Sequence, residues 1–269
     1  MKNHYIHYLP RIINDRLSRK RVNDFFTLDQ QLDEGFERPR FHITRSRRGP
    51  AVKIKVGDII WLISTIKSPW GKTTPSLDAK IIVENIQITK EGHLKYIASK
   101  NSKWYPICDI SKCLFQLETI DSKKRSKKLI GNTESDIGIY LQSIRQLRNF
   151  DKMEKWSKHV IGSDFHFISY RIKDGTKAAF QKTQELLENG FIVFWDRYCL
   201  PRRLSERREF VCDQKLDNYI KNKLKGSIRV WGIESKLYAQ EGSYSYNEYE
   251  WAMFQKKYYP VVVPAANNG

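Results

Sequence analysis

Apolar and polar positions along this chain follow two rhythms. From residue 41 to residue 98 the period is two, or the run is apolar throughout, and both patterns mark strands. Phe41–Arg45 alternates until a basic turn, Ser46–Gly49, and Pro50 interrupt it. Val52–Val56 and Asp58–Ser64 flank Gly57, which predicts strand, tight turn, strand. Ile59, Ile60, Trp61, Leu62 and Ile63 are all apolar, as in a strand buried on both faces. Ala79–Thr89 and His93–Ala98 enclose Lys90-Glu91-Gly92, a hairpin with glycine in its loop. Short strands separated by turn signals predict a small barrel. After a polar loop at Gly131–Asp136, residues Ile137, Leu141, Ile144, Leu147 and Phe150 recur every three or four positions. That spacing predicts a helix over Ile137–Trp156, capped by Asp136.

Farther on, strand and helix signals alternate. Strands are expected at Phe165–Tyr170, Phe191–Trp195, Ile228–Ile233 and Pro260–Pro264. Helices are expected at Thr176–Asn189, stopped by Gly190, at Val211–Leu224 and at Tyr246–Lys257. Apolar strands alternating with helices imply a parallel sheet covered on both faces. Ligands of such sheets sit beyond the carboxyl ends of the strands. Loops 170–176, 195–210 and 233–247 are therefore where chemistry is expected.

Charge separates the two regions. The chain holds 48 Lys/Arg and 30 Asp/Glu, a net of +18. Residues 1–150 contribute 28 and 15, a net of +13; residues 151–269 contribute 20 and 15, a net of +5. The basic half suits either an anionic partner such as nucleic acid or a solvated basic surface. The absence of an 18-residue apolar run argues against a membrane-spanning helix. The polar N-terminus lacks a signal-peptide core, and four cysteines in 269 residues read as reduced thiols. A cytoplasmic protein with no membrane partner is expected. Cys108 and Cys113 have no second pair at zinc spacing, and no phosphate-binding glycine loop or Gly-x-Ser-x-Gly elbow occurs, so neither metal nor cofactor is expected.

The second region resembles a TIR domain. Phe167-Ile168-Ser169-Tyr170 with Asp174 resembles the family's opening strand and loop. Leu186 to Asp196 is similar to the first helix end, the second strand and the start of the long second loop, which Leu200-Pro201 and the run to Arg208 continue. Ser227–Ser235 with Tyr238 resembles the third strand and its Ser, Tyr ending, and Tyr246–Ala252 the start of the third helix. The match spans residues 163–264. The family often has Trp-Cys shortly before its catalytic glutamate, where this chain has Tyr246-Asn247, and little chain remains after Val263 for a last strand and helix.

TIR domains are either scaffolds or enzymes that cleave NAD+ at its nicotinamide–ribose bond. The resemblance implies NAD+ as substrate, association into homo-oligomers, and a setting in prokaryotic antiphage defence. Breaking that bond builds an oxocarbenium-like cation, which one carboxylate beside the ribose stabilises. The resemblance places the carboxylate at Glu250, with Glu248 in reserve. The two lie about 200° apart on a helix, so one of them faces the cleft; an acidic first helical turn is the plain alternative. For the substrate, the resemblance points to Tyr170 and Arg171 on the first loop and to Tyr238; after the second strand, next to Asp196, Trp195 suits stacking on a base, and Arg197, Arg202 or Arg203 suits the pyrophosphate, the plain alternative being a solvated loop of arginines. Trp195 is equally a core residue, and Asp174-Gly175 equally a turn.

In the first region, Lys55-Val56-Gly57-Asp58-Ile59-Ile60-Trp61-Leu62 resembles the Gly-Asp turn of PUA-like barrels, the group with ASCH and EVE domains. Those barrels often read RNA or a modified base. Arg45, Arg47 and Arg48 with Trp70 and Lys72 are the candidate nucleic-acid surface, combining phosphate contacts with stacking. The expected architecture is α+β with two domains. A basic PUA-like β-barrel spans 1–135, a helical connector 136–160, and a TIR-like, flavodoxin-like α/β domain 161–269. The expected function is an NAD+ glycohydrolase or cyclase with a sensing domain. The other reading is a non-catalytic adaptor that binds nucleic acid through its basic half.

Overall fold

A computed structural model describes residues 2–9, 11–12, 39–121, 123–129, 137–199 and 214–263. The first half contains β1 (His4–Tyr8), β2 (Arg11–Ile12), β3 (Phe41–Thr44), β4 (Ile59–Ser64), β5 (Ile66–Ser68), β6 (Gly71–Lys72), β7 (Ser76–Ile88), β8 (Leu94–Ala98) and β9 (Lys103–Trp104). It continues through α1 (Ser111–Leu114), β10 (Glu118–Ile120), β11 (Ser126–Lys128), α2 (Ile137–Tyr140), β12 (Arg145–Gln146) and α3 (Asp151–Gly162). The second half contains β13 (Phe165–Tyr170), α4 (Ile172–Glu188), β14 (Ile192–Trp195), α5 (Asp196–Cys199), α6 (Gln214–Gly226), β15 (Arg229–Glu234), α7 (Tyr244–Phe254) and β16 (Tyr258–Val262).

The first sheet runs β12-β1-β4-β7-β8-β3, with β9 also on β7. Its strands are antiparallel neighbours except β1 and β4, which are parallel. The Gly-Asp turn explains that exception. Gly57 takes φ +88 and donates its N–H to the Val83 carbonyl. The buried Asp58 carboxylate accepts from the Lys55 and Asn3 backbone N–H groups, each at 2.9 Å, which seats β1 beside β4. Register shifts on both sides of β7 mark bulges, which increase a sheet's twist and bend. The sheet curls until β1 meets β3 through side chains, His7 Nδ1 lying 2.9 Å from His42 Nε2. Tyr5, Ile60, Leu62, Ile81, Val83 and Tyr96 fill the inside. Val52–Val56 is not the expected strand. Pro50, with φ preset near −61, opens a 3-10 turn over Ala51–Lys53. Ala51 and Ile54 plug the end of the curled sheet, and Val52 and Val56 face solvent.

The expected helix over Ile137–Trp156 is broken in two. Arg145-Gln146 leaves the helical path to pair with the outer side of β1, whose backbone groups otherwise go unsatisfied. Leu141, Leu147, Met153 and Val160 then pack in one core with Ile6, Trp61 and Ile63. The expected connector instead packs as the outer layer of the first half.

The second sheet is wholly parallel, in the order β14-β13-β15-β16. The chain first grows outward from β13 to β14, then returns to the other side of β13 to lay down β15. The carboxyl ends of β13 and β15 thus flank a topological switch point. Phe180 of α4 packs toward Trp195 and Tyr170, while α6 and α7 pack together against β13. Right-handed crossovers place α4 on one face and the other two on the opposite face. α4 begins at Ile172, earlier than Thr176, because Asp174-Gly175 forms its first turn. The last strand is Tyr258–Val262, slightly earlier than expected.

The halves are welded at two places. Val193 of β14 and Ile107 exchange both backbone hydrogen bonds at 2.8 Å. The β5–β6 hairpin lays Trp70 on Phe180 of α4, ring centroids 6.1 Å apart. Ile66 and Ile107 lie in the core of the second half, and Ile192 in that of the first.

Burial lowers the pKa of His7 to about 4 and that of His42 well below its usual value. Both therefore stay neutral in the folded state, while the unfolded chain protonates them below about pH 6.5. Their contribution is complete above that pH and is lost as pH falls toward 4, on the order of 3 kcal/mol for His7 alone. Urea unfolding at pH 7, 5.5 and 4.5 should show this loss. A His7→Leu/His42→Leu variant, which removes both hydrogen-bonding partners together, should lose distinctly less over the same range.

Candidate functional site

β13 alternates its side chains between the two faces of the sheet. Tyr170 turns toward α4 and meets Trp195 edge-on. Ser169 turns the other way, toward α7, at the carboxyl end of the central strand. A hydroxyl buried there needs partners. Ser169 Oγ donates to Glu248 Oε2 at 2.6 Å, and the Tyr238 hydroxyl lies 3.0 Å from the same Oγ. Glu248 is only 7% exposed.

The start of α7 aims that glutamate. Ser243 caps the helix, its Oγ accepting from the Tyr246 N–H at 3.2 Å. Ser245 Oγ accepts from the Ala239 N–H and contacts Ser243 Oγ, binding the approach loop to the helix. From that cap Glu248 points in and Glu250 points out. Glu250 is exposed, and its neighbouring carboxylate raises the pKa of the Tyr246 phenol. The order suggested by the resemblance is thus reversed: Glu248, not Glu250, occupies the inward position.

A second carboxylate lies on β15: the Tyr258 hydroxyl donates to Glu234 Oε1 at 2.8 Å. The Tyr258 ring lies across β15 at Gly232. A Cβ on Gly232 would come within 2.2 Å of that ring, so glycine alone permits the crossing. Burial first, then neighbouring charge, raises the pKa values of the Tyr238 and Tyr258 phenols, so both remain protonated donors at neutral pH.

On the opposite face Asp174 ties the two loops of the switch point together. Its carboxylate accepts from Ser235 Oγ and from the Leu237 N–H, each at 2.8 Å. Asp174-Gly175 is therefore a helix start rather than a free turn. A Cβ at Gly175 would sit at ordinary van der Waals distance, 3.4 and 3.5 Å, from Tyr170 Cβ and Ser235 Oγ.

The other expected site residues scatter. Trp195 is fully buried between Tyr170 and Phe180, so it presents no face for stacking on a base. Tyr170 is buried beside it. Arg171 caps α4 and Asp196 opens α5, both half-buried. Arg202, Arg203 and the side chain of Arg197 lie outside the described residues. Arg47 bonds the Glu91 carbonyl at 2.9 Å and lies over the Gly92 turn, with Arg45 and Arg48 exposed beside it. Trp70 and the exposed Lys72 belong to the β5–β6 hairpin instead. The arginine turn follows Thr44, which pairs through Leu94 to Ile88 at the end of β7; the hairpin lies near Ser76 at its beginning. The two groups form no single nucleic-acid surface, because Trp70 is engaged by Phe180.

Ser169, Gly232, Glu234 and Tyr258 were missed as site residues. Glycine inside an apolar strand was the available signal for Gly232, since it marks a close approach. Among the described residues no group of His, Cys, Asp and Glu has the arrangement of a metal site. Comparisons with protein families, curated proteins and solved structures find no match to this chain.

Asp174→Ala should free the segment after β15 while leaving the core intact. Faster amide exchange at Leu237 is expected, with a stability loss of about 1 kcal/mol for a partly solvated charged hydrogen bond. Unchanged exchange at Leu237 would show that the loops are held by other contacts.

Proposed function

We propose that the second half is a TIR-type catalytic unit that cleaves the nicotinamide–ribose bond of NAD+, releasing nicotinamide and an ADP-ribose-type product, linear or cyclic. The supporting observation is the Glu248 carboxylate, held by Ser169 at the carboxyl end of the central strand, beside a topological switch point. A nucleotide lying across that switch point would bring its ribose to the carboxylate. The Ser169 hydroxyl donates to that carboxylate at 2.6 Å. A charged carboxylate stabilises the oxocarbenium-like cation and orients the ribose hydroxyls. Nicotinamide leaves with the electron pair of the broken bond and becomes neutral, so no acid is needed. The strand order and the strand–loop segments that resemble TIR domains support the same assignment. Arg171, with Arg197 of α5 and Arg202, is the candidate partner for the pyrophosphate. In this reading the first half senses a nucleic acid or modified base, and neighbouring copies associate to complete the site.

The exposed Arg45 and Arg48 and the +13 charge favour a second reading, a non-catalytic adaptor that binds nucleic acid. Binding by the full chain would weaken steeply as salt rises, with a slope set by the number of phosphates contacted.

Mass spectrometry of NAD+ incubated with concentrated full-length protein, with and without nucleic acid, separates these readings. Nicotinamide release should persist within about threefold in Glu250→Ala and fall on the order of 100-fold or more in Glu248→Ala. Release that survives Glu248→Ala, or no release by the wild type under any condition, would overturn the catalytic reading.

A further inference from the structure

The α4 face of the second sheet is covered only in part. α4 packs on β13, β14 and β15, whereas β16 packs with β15 and α7. Register sets which side chains share the α4 face. Trp231 lies opposite Ile168 of β13 and Tyr259 of β16, so Arg229, Trp231, Tyr259 and Val261 stand on one side with His166 and Tyr170. Tyr259 is 39% exposed, Arg229 is exposed and Trp231 is half-buried. Four of these side chains and one from α4 make a row. The Lys182 ammonium lies 3.9 Å over the Trp231 ring, the Trp231 and Tyr259 centroids are 5.5 Å apart, and the Arg229 guanidinium lies 4.9 Å over Tyr259. At the inner end Trp231 Nε1 donates to His166 Nδ1 at 2.8 Å. We propose that this row is a platform for single-stranded nucleic acid, in which a base stacks on Tyr259 beside Trp231 and Arg229 meets the phosphate.

The chemistry of the row selects that ligand. The bond to His166 commits the one polar atom of Trp231 to the sheet and fixes its ring, so the neighbouring Tyr259 has a rigid wall at its side. A cation over an exposed ring is held weakly and gives way to a base, which stacks more strongly. The displaced guanidinium is then free to pair with the phosphate that the base carries. Lys182 is already paired with Glu185 at 2.6 Å, so it stays over Trp231 and is no phosphate contact. Among the described residues Arg229 has no ion pair, and the second half carries a net charge of +5.

A second copy of the chain is a poorer occupant, since it would bring two basic faces together. Strand addition at the open edge is also opposed. Val230 N–H donates to the Lys257 carbonyl and Val263 N–H to the Glu234 carbonyl, so the odd-numbered residues of β16 bond inward. Pro260 therefore faces the open edge, where it has no N–H to offer. An acidic peptide matches the charge of Arg229 but not the ring beneath it. From the nucleic-acid reading this inference takes only the class of ligand. The row lies on the face opposite Ser169 and Glu248, and in the other half from the turn that carries Arg45 and Arg48.

Fluorescence anisotropy of the full chain tests the platform, with labelled deoxythymidine and uridine strands about 15 nucleotides long, a duplex of equal length and a polyglutamate peptide as probes. Tyr259→Ala should weaken both single strands about tenfold and change duplex binding little, and Tyr259→Phe should keep the wild-type affinity. Arg229→Gln should reduce the slope of log affinity against log salt by about 0.7, as for one phosphate of a single strand. Photocrosslinking with an iodouridine strand should map to Tyr259 or Trp231. Single-strand affinity that survives Tyr259→Ala, an equal loss for strand and duplex, crosslinks confined to the first half, or polyglutamate binding that depends on Tyr259 more than strand binding does overturns the platform. If affinity falls only in Arg45→Gln/Arg48→Gln, the platform fails and the reading of the basic first half stands. If it falls in Tyr259→Ala and not in that double variant, the platform stands and the arginine turn is excluded.

Discussion

A carboxylate kept out of water must be hydrogen-bonded, and the carboxyl end of the second sheet is arranged around that demand. Glu248 sits inside because Ser243 and Ser245 fix where α7 begins. Ser169, which ends the central strand on the α7 face, donates to it. Ser169 in turn engages Tyr238, which brings the loop after β15 over the site. Removing one member withdraws a bond from its buried neighbour, so these residues act as a network rather than as separate contacts.

The same reasoning explains why the two halves are continuous. An edge strand of a parallel sheet exposes unpaired backbone groups. β14 meets this by exchanging hydrogen bonds with Ile107, a residue of the first half. The β5–β6 hairpin adds Trp70 over Phe180 at the same border. β14 ends at Trp195, directly before α5. Ile107 and Trp70 of the first half thus contact β14 and α4, the strand and helix next to the central strand β13.

Much of this was legible in the residue pattern, for identifiable reasons. Strands β4, β7, β8, β13 and β15 announced themselves because their side chains repeat with the period of the surface they bury. The inward Glu248 was not legible, since two glutamates spaced by two residues differ only in where the helix cap falls. Arg145-Gln146 kept helical spacing yet paired with β1, because satisfying an open strand outweighed helix propensity. β1 itself was hidden by His4 and His7, which read as polar but are buried. Trp195 and Trp70 carried the right chemistry for stacking on a base, but each is already packed against an aromatic ring of the core or the border between halves.

The central claim is that a nucleotide's ribose lies against Glu248 at the switch point. The most direct measurement is a crystal structure of the full chain with a carbocyclic NAD+ analogue that cannot be cleaved. The expected result places the nicotinamide-bearing ring beside the Glu248 carboxylate, between the loops that follow β13 and β15. An analogue bound elsewhere, or a Glu248 carboxylate still sealed from the ligand in a saturated crystal, would contradict the assignment.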